Sequence, residues 1–360
     1  MKKVYFTQIN NLIADAIFLP LSVAYIWEYC KTQVTDWELG DIFFERESVE
    51  DYLKKIDNPD ILALSTYVWN WDITCQLARA VKKKYPNCKI VMGGPQVPFK
   101  QSWLEDNPDL CDIIVTYAGE RAFAEILKGN YTYPGVMTKE SYTPPKPDRE
   151  LNDIPSPYLS GLMDSLMQPG KQYSAIIETN RGCPYSCSFC DQQDLYYNKI
   201  AMFDYDRVIG EIDWIVKNKI DFLYFGDSNV GMFNRDVDFI RHIAKRRNET
   251  GYPRQIDYST AKQQPKRIVE LGEILNKEAK IRRGVTIALQ SMNPKTLKAI
   301  KRINLANEKL EQIVGDYNKA GVDNYCELIV GLPEETLETW IEGIGKILSL
   351  IHISEPMRPY

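Results

Sequence analysis

The chain has 360 residues, 44% of them hydrophobic and 26% charged, and its 44 Lys and Arg against 49 Asp and Glu leave a net charge of −5. Such a length and apolar content suit one or two buried cores and suggest two domains, while the mildly acidic balance gives no support to nucleic-acid binding. The best apolar run, 13–27, is broken by Asp15 and Pro20, which excludes a membrane-spanning helix, and the few residues after Lys2 and Lys3 are too short for a signal peptide. The eight cysteines are therefore expected to be reduced cytoplasmic thiols. Residues 262–302 are locally basic, a pattern that usually marks a solvated face.

Strand-like and helix-like segments alternate from the start. Residues 3–8, 38–44, 61–65, 89–92 and 113–116 have the short apolar pattern of buried strands, and 72–84 and 120–128 have helical periodicity. The pattern predicts a doubly wound α/β domain, whose ligands bind outside the carboxyl ends of the strands, so loops 9–19, 65–71 and 93–98 should share one rim. Gly93 and Gly94 permit close approach of a ligand to the backbone, or else simply a tight turn. Residues 131–170 are rich in Pro, Asp and Ser and predict an extended linker with little core of its own.

Beyond the linker an apolar run, 173–178, leads into 181–191, RGCPYSCSFCD, where Cys183, Cys187 and Cys190 fall at the spacing CxxxCxxC. Iron-sulfur clusters are normally held by four cysteines, so three leave one iron open to a substrate. The residues alone leave open a zinc site completed by Cys111, Cys326 or His242, and three inert buried thiols. An electron-transfer ferredoxin wants a fourth cysteine nearby, and none is present. Strands are expected at 174–178, 221–225, 255–259, 285–289 and 325–330, with helices at 204–217, 236–247, 266–277, 294–318 and from 335 onward. Repeated βα units of this kind suggest a barrel with its chemistry at the carboxyl ends of the strands.

The cysteine stretch resembles the signature of the radical S-adenosylmethionine (SAM) superfamily. The resemblance implies that Cys183, Cys187 and Cys190 hold a 4Fe-4S cluster whose fourth iron binds the amino and carboxylate groups of SAM, and that Phe189 packs by the adenine. It also implies that Gly226, Asp227 and Ser228 stand in the place of a Gly-Gly-Glu motif, with Asp227 substituting for the acidic group at the SAM amino group. Gln290 and Ser291 form a QS pair typical of this branch. Arg302, on a helix, is expected to meet the SAM carboxylate. The run 327–335, ELIVGLPEE, is similar to the family's GxIxGxxE pattern at Ile329, Gly331 and Glu334, with Glu327 in place of the first glycine.

The first domain resembles the cobalamin-binding domain that precedes many radical SAM enzymes. Ser65, Thr66, Gly93 and Gly94 fall where that family touches the corrinoid and its nucleotide tail, and Gly119 and Glu120 match a further pair at the rim. The DxHxxG motif is absent after the first strand, so a corrinoid here is expected to lack a protein histidine on cobalt. The combined resemblance implies reductive cleavage of SAM to a 5′-deoxyadenosyl radical and cobalamin-dependent methyl transfer to an unactivated carbon. It also implies a low-potential electron donor such as ferredoxin or flavodoxin, and a small-molecule or peptide substrate that the sequence does not define. Related branches include radical cyclases and rearrangement enzymes, tRNA methylthiotransferases and, from a different class, a non-catalytic corrinoid or cluster sensor. The methylthiotransferases carry three further cysteines in strand-end loops, whereas Cys30, Cys75, Cys88 and Cys111 here read as small apolar residues.

The expected fold is α/β, with an N-terminal doubly wound, Rossmann-like cobalamin-binding domain over 1–138, a linker over 139–172 and a partial TIM-like (β/α)6 radical SAM barrel over 173–347. Residues 348–360, LSLIHISEPMRPY, resemble the in-frame translation of a transposase sequencing adapter. The expectation is that His352 has no functional meaning and that the native frame runs on into a sixth strand and helix.

Overall fold

The computed structural model describes residues 1–11, 17–190, 197–281, 284–305 and 307–352, with 307, 308 and 350–352 described by their backbone alone. The described chain forms two compact units, Met1–Ile176 and Ile177–Tyr360.

The first unit runs β1 Lys2–Thr7, β2 Ile17–Phe18, α1 Leu21–Gln33, β3 Trp37–Phe43, α2 Val49–Lys55, β4 Ile61–Ser65 and α3 Trp71–Lys84. It continues with β5 Lys89–Gly93, α4 Gln101–Asp106, β6 Ile113–Val115, α5 Glu120–Leu127, β7 Val136–Met137, α6 Leu162–Leu166 and β8 Tyr173–Ile177. A six-stranded sheet has the order β3-β1-β4-β5-β6-β7, parallel except for β7. Alternation of side chains across the strands covers both faces. Tyr5, Leu62, Leu64, Ile90 and Met92 share a core with Leu77, Ala78 and Val81 of α3. Phe6, one residue on from Tyr5 and so on the other face, meets Trp27 of α1 and Phe123 of α5 at ring-centroid distances of 6.3 and 5.1 Å. The Rossmann-like expectation is met, and the strand order reverses beside β1, which puts a topological switch point between β1 and β4.

The linker expectation needs correction. Leu151, Ile154, Tyr158 and Met163 are almost completely buried, and β7 adds an antiparallel edge to the sheet. Arg121 of α5 holds this segment: it donates to Asp148 at 2.6 Å, to both oxygens of Asp153 at 2.8 and 2.9 Å, and to the Glu150 carbonyl at 2.8 Å. Proline-rich composition sets an extended backbone but does not decide whether its apolar side chains find a core.

The second unit contains β9 Asn180–Arg181, β10 Ala201–Met202, α7 Tyr205–Lys217, β11 Phe222–Val230, α8 Asn234–Thr250, β12 Gln255–Thr260, α9 Pro265–Glu273 with a π turn over Ile274–Glu278, and β13 Val285–Gln290. It ends with α10 Pro294–Ala299, α11 Asn307–Ala320, β14 Asn324–Leu328 and α12 Leu337–His352. Strands β11 and β12 pair in parallel, as do β13 and β14, and the Thr260 hydroxyl donates to the Thr286 carbonyl between the two pairs at 2.8 Å. The expected βα alternation is present with two differences. The helix expected over 294–318 is two helices, separated where Lys301 takes a positive φ of 52°. Strand β11 continues to Val230, five residues beyond its expected end. Helix α12 runs through 348–352; residues 353–360, on which most of the tail expectation falls, lie outside the described residues.

Candidate functional site

The cysteine loop leaves the end of β8 and returns through β10, which pairs antiparallel with β9 so that Arg181 faces Ala201. Its entry is fixed by Asp227 of β11. One carboxylate oxygen accepts from the backbone N–H of Thr179 at 2.8 Å and of Asn180 at 2.9 Å, and the other from the Thr179 hydroxyl at 2.8 Å. Gly182 follows with φ +108°, and a Cβ there would lie 2.3 Å from the Lys199 carbonyl oxygen and 2.9 Å from that of Tyr197. The turn is closed by Cys183 N–H donating to Tyr197 O at 2.7 Å, Cys190 N–H to Cys187 O at 3.1 Å and Ser188 N–H to Ile300 O at 3.0 Å.

Cys183 and Cys187 are buried and Cys190 is half-buried, whereas Phe189 is 39% exposed. Polar groups from β11, from the loop after β12 and from the segment between α10 and α11 converge on the thiols. Asn229 Nδ2 donates to Cys183 Sγ at 3.3 Å, and Lys262 Nζ and Arg302 Nη1 approach Cys187 Sγ at 3.8 and 3.9 Å. Burial pulls the pKa of Arg302 down, and its neighbour Cys187 opposes the shift. Among the described residues no three His, Cys, Asp or Glu side chains are close enough to hold one metal ion. A four-iron cluster does not require such a group, because each thiolate binds a different iron. The donor set therefore fits a cluster: three thiols on one loop, two of them buried, with N–H and cationic groups pointing at sulfur.

Several expected site residues take other parts. Gly226, Asp227 and Ser228 lie inside β11 and not at its end, and both oxygens of the Asp227 carboxylate accept hydrogen bonds from the entry of the cysteine loop. Arg302 lies in the segment between α10 and α11 and not on a helix; besides Cys187 it donates to the Ala288 carbonyl and, at 3.0 Å, to Asn304. With Lys262, Ala288, Leu289 and Asn304 it lines a pocket at the carboxyl ends of β12 and β13. So the two ends of the basic run 262–302 face the cysteines and are not part of a solvated surface. Gln290 is strained, with φ +67° at a register shift between β13 and β14, and its carbonyl accepts from Ile329 N–H at 2.9 Å. Ser291 is buried and bonded to Glu335, and Gly331 turns the chain at φ +82° after β14. Sequence reasoning missed Asn229 and Lys262.

Burial of Asp227 pushes its pKa up to about 7, against the three donated hydrogen bonds. A carboxyl with a folded pKa above its unfolded value near 4 contributes stability that is fully present below about pH 4 and lost as pH rises through 7. The loss amounts to a few kcal/mol at most. Asp227→Asn keeps one oxygen for the two N–H donors and is expected to flatten stability between pH 4 and 7. Denaturant titrations across that range check it; equal slopes in the two proteins would count against it.

In the first unit the loops after β1, β4 and β5 do share a rim. Trp69 Nε1 and Asn70 Nδ2 both donate to the Ile9 carbonyl, at 3.2 and 3.3 Å, across the switch point. Thr66 N–H and hydroxyl donate to Gly93 O at 2.7 and 2.8 Å. A Cβ on Gly94, at φ +105°, would lie 2.5 Å from Thr66 O, so this glycine admits the neighbouring loop and is needed by the protein itself. The Thr66 hydroxyl is likewise spent internally, while the half-buried Ser65 hydroxyl makes no hydrogen bond among the described residues. A Cβ on Gly119 would lie 2.9 Å from Ile26 of α1, and Glu120 is buried. The rim instead exposes Val68, Trp69 and Phe99, with Trp69 stacked on Tyr67 at 4.4 Å; the sequence had singled out none of these. Their broad apolar faces fit a large planar macrocycle better than a small polar ligand. Cys30, Cys75, Cys88 and Cys111 are buried in the core, and burial pushes the thiols of Cys88 and Cys111 up to about 12, which leaves them inert.

Three cysteines on the loop after β8, followed by repeated βα units and preceded by a doubly wound sheet with an open rim, are the features of a radical SAM protein with a corrinoid-binding domain. Residues 177–345 match the radical SAM superfamily and residues 12–127 match the B12 binding domain, and the chain belongs to that superfamily. It is 33% identical to the cobalamin-dependent radical SAM methyltransferase TokK of Streptomyces tokunonensis, over 96% of this chain and 53% of that protein. It is equally similar, with the same coverage, to the 2-(S-pantetheinyl)-carbapenam-3-carboxylate methyltransferase of Streptantibioticus cattleyicolor. The chain thus spans about half the length of the curated relatives it matches. Its fold resembles that of the radical SAM methyltransferase TsrM from Kitasatospora setae, solved with cobalamin and a [4Fe-4S] cluster bound, with a TM-score of 0.69 and 15% identity over 98% of this chain and 71% of that one.

Proposed function

We propose that this chain acts as a cobalamin-dependent radical SAM methyltransferase on an unactivated carbon. The observation that carries the proposal is the convergence of Asn229, Lys262 and Arg302 on the buried thiols Cys183 and Cys187, beside an open aromatic ring, Phe189. When bound, the cluster with SAM supplies a 5′-deoxyadenosyl radical, and cobalamin a transferable methyl group. The chain's own part is to hold and orient. Cys183, Cys187 and Cys190 would anchor the cluster, and Phe189 offers a face for adenine. Lys262 and Arg302 supply positive charge where a carboxylate would lie. The rim formed by Val68, Trp69 and Phe99 would carry the corrinoid, with no histidine among the described rim residues to ligate cobalt. Among the described residues no helix is long and apolar enough to cross a membrane, and no cysteine is in a disulfide. A cytoplasmic enzyme served by a ferredoxin or flavodoxin fits these features.

Anaerobic reconstitution with iron, sulfide and cobalamin, followed by SAM and a strong reductant, is expected to yield 5′-deoxyadenosine. The cob(II)alamin form should show no protein-nitrogen splitting in its electron paramagnetic resonance spectrum. The pantetheinyl carbapenam named for one relative is the first methyl acceptor to try. Absence of 5′-deoxyadenosine from iron-loaded protein would favour a non-catalytic sensor.

A further inference from the structure

Asn229 stands two residues after Asp227 on β11, and both side chains are buried on the same side of the strand, with Asn229 5% exposed. Its Nδ2 donates to Cys183 Sγ at 3.3 Å. Its Oδ1 is buried and has no hydrogen-bond partner among the described residues. A buried acceptor left unpaired costs about 1–3 kcal/mol, so a fold keeps one where something else supplies the donor. Sulfur bound to iron can only accept, so the N–H end of the amide faces it and the carbonyl end accepts from elsewhere.

We propose that Asn229 joins the cluster to SAM, its N–H setting the cluster's reduction potential through Cys183 and its carbonyl oxygen receiving the α-ammonium group of SAM. This rests on the cluster and SAM assignment above and places a second acceptor on the same side of β11 as Asp227, whose oxygens already take three hydrogen bonds from Thr179 and Asn180. An N–H aimed at a ligating sulfur stabilises the negative charge that reduction adds, and so raises the potential. An ammonium group leaving water needs acceptors, and a preoriented amide oxygen supplies one without bringing a second charge to the thiolate.

The test uses the reconstituted full chain and two variants. Asn229→Leu removes both ends of the amide at similar volume; Asn229→Asp keeps an acceptor but sets an oxygen against the thiolate. Redox titration followed by electron paramagnetic resonance should show the cluster of Asn229→Leu about tenfold harder to reduce, which is about 59 mV for one electron. Its SAM dissociation constant, measured by equilibrium dialysis, should rise about tenfold or more, roughly 1.4 kcal/mol. Asn229→Asp should also be harder to reduce yet bind SAM as the wild type does. An unchanged potential in Asn229→Leu overturns the thiolate role, and a loss of SAM affinity as large in Asn229→Asp as in Asn229→Leu overturns the acceptor role. If Asn229→Leu takes up no iron, Asn229→Asp decides both points. Failure of the wild type itself to take up iron strikes the cluster assignment instead.

Discussion

Alanine at Cys183, Cys187 or Cys190 should abolish the cluster, whereas alanine at Cys30, Cys75, Cys88 or Cys111 should leave iron content and the visible absorption band at wild-type levels. The first three share one loop in which Asn229, Lys262 and Arg302 direct N–H and positive charge at sulfur. The other four are buried in the core of the first unit, where ionising a thiol is unfavourable. Replacing those four has a price in packing, about 1 kcal/mol for each small side chain shortened, and this appears in stability and not in iron. Iron analysis of all seven single variants after anaerobic reconstitution is the measurement. Wild-type iron in the triple variant Cys183→Ala, Cys187→Ala, Cys190→Ala would remove the site.

Gly182→Ala is expected to be nearly as damaging although it alters no ligand. At φ +108° an L side chain is already strained, by about 1–2 kcal/mol. The added Cβ would also lie 2.3 Å from a backbone oxygen, that of Lys199, which cannot rotate away as a side chain would. The loop must then move, taking with it the Cys183 N–H that bonds Tyr197, and the combined loss should be of the order of 3–5 kcal/mol. Gly161→Ala is the control, because its φ is also positive, +87°, but nothing lies within 4 Å of the new Cβ. Thermal unfolding and iron uptake should show a small effect at Gly161 and a large one at Gly182; equal effects would mean that the close approach does not matter.

The strands of both units were legible because short apolar runs bounded by turn residues correspond to buried parallel strands, and the CxxxCxxC spacing identified the centre of the site. What the sequence concealed has definite causes. Strand β11 runs through Gly226, Asp227 and Asn229, residue types that strands disfavour, so the strand pattern in the sequence stops at Phe225. Tertiary hydrogen bonds from Thr179 and Asn180 to Asp227 hold that extension in place, and Asn229 was hidden with it. Lys262 and Arg302 lie in loops, where no periodicity tells which way a side chain points, and a basic run gives no sign that its two ends turn inward. The linker did carry a signal that was passed over: Leu151, Ile154 and Tyr158 recur at intervals of three and four residues, as on one buried face. At the corrinoid rim the family pattern marked Gly94 and Thr66, which the protein uses to bind its own loops together, and was silent on Val68 and Trp69.

That rim has a further consequence for how the protein behaves in solution. Val68 is 75% exposed, and Trp69 and Phe99 expose more than two-fifths of their surface, all of it on preformed loops tied down through Ile9, Thr66 and Gly93. Apolar side chains on tied-down loops cannot fold away, so left uncovered they offer adhesive surface to other copies of the chain. On the proposed assignment a bound corrinoid would cover those side chains and draw the folding equilibrium toward the native state by mass action. Corrinoid supply during synthesis would then be expected to raise soluble yield, an effect independent of catalysis.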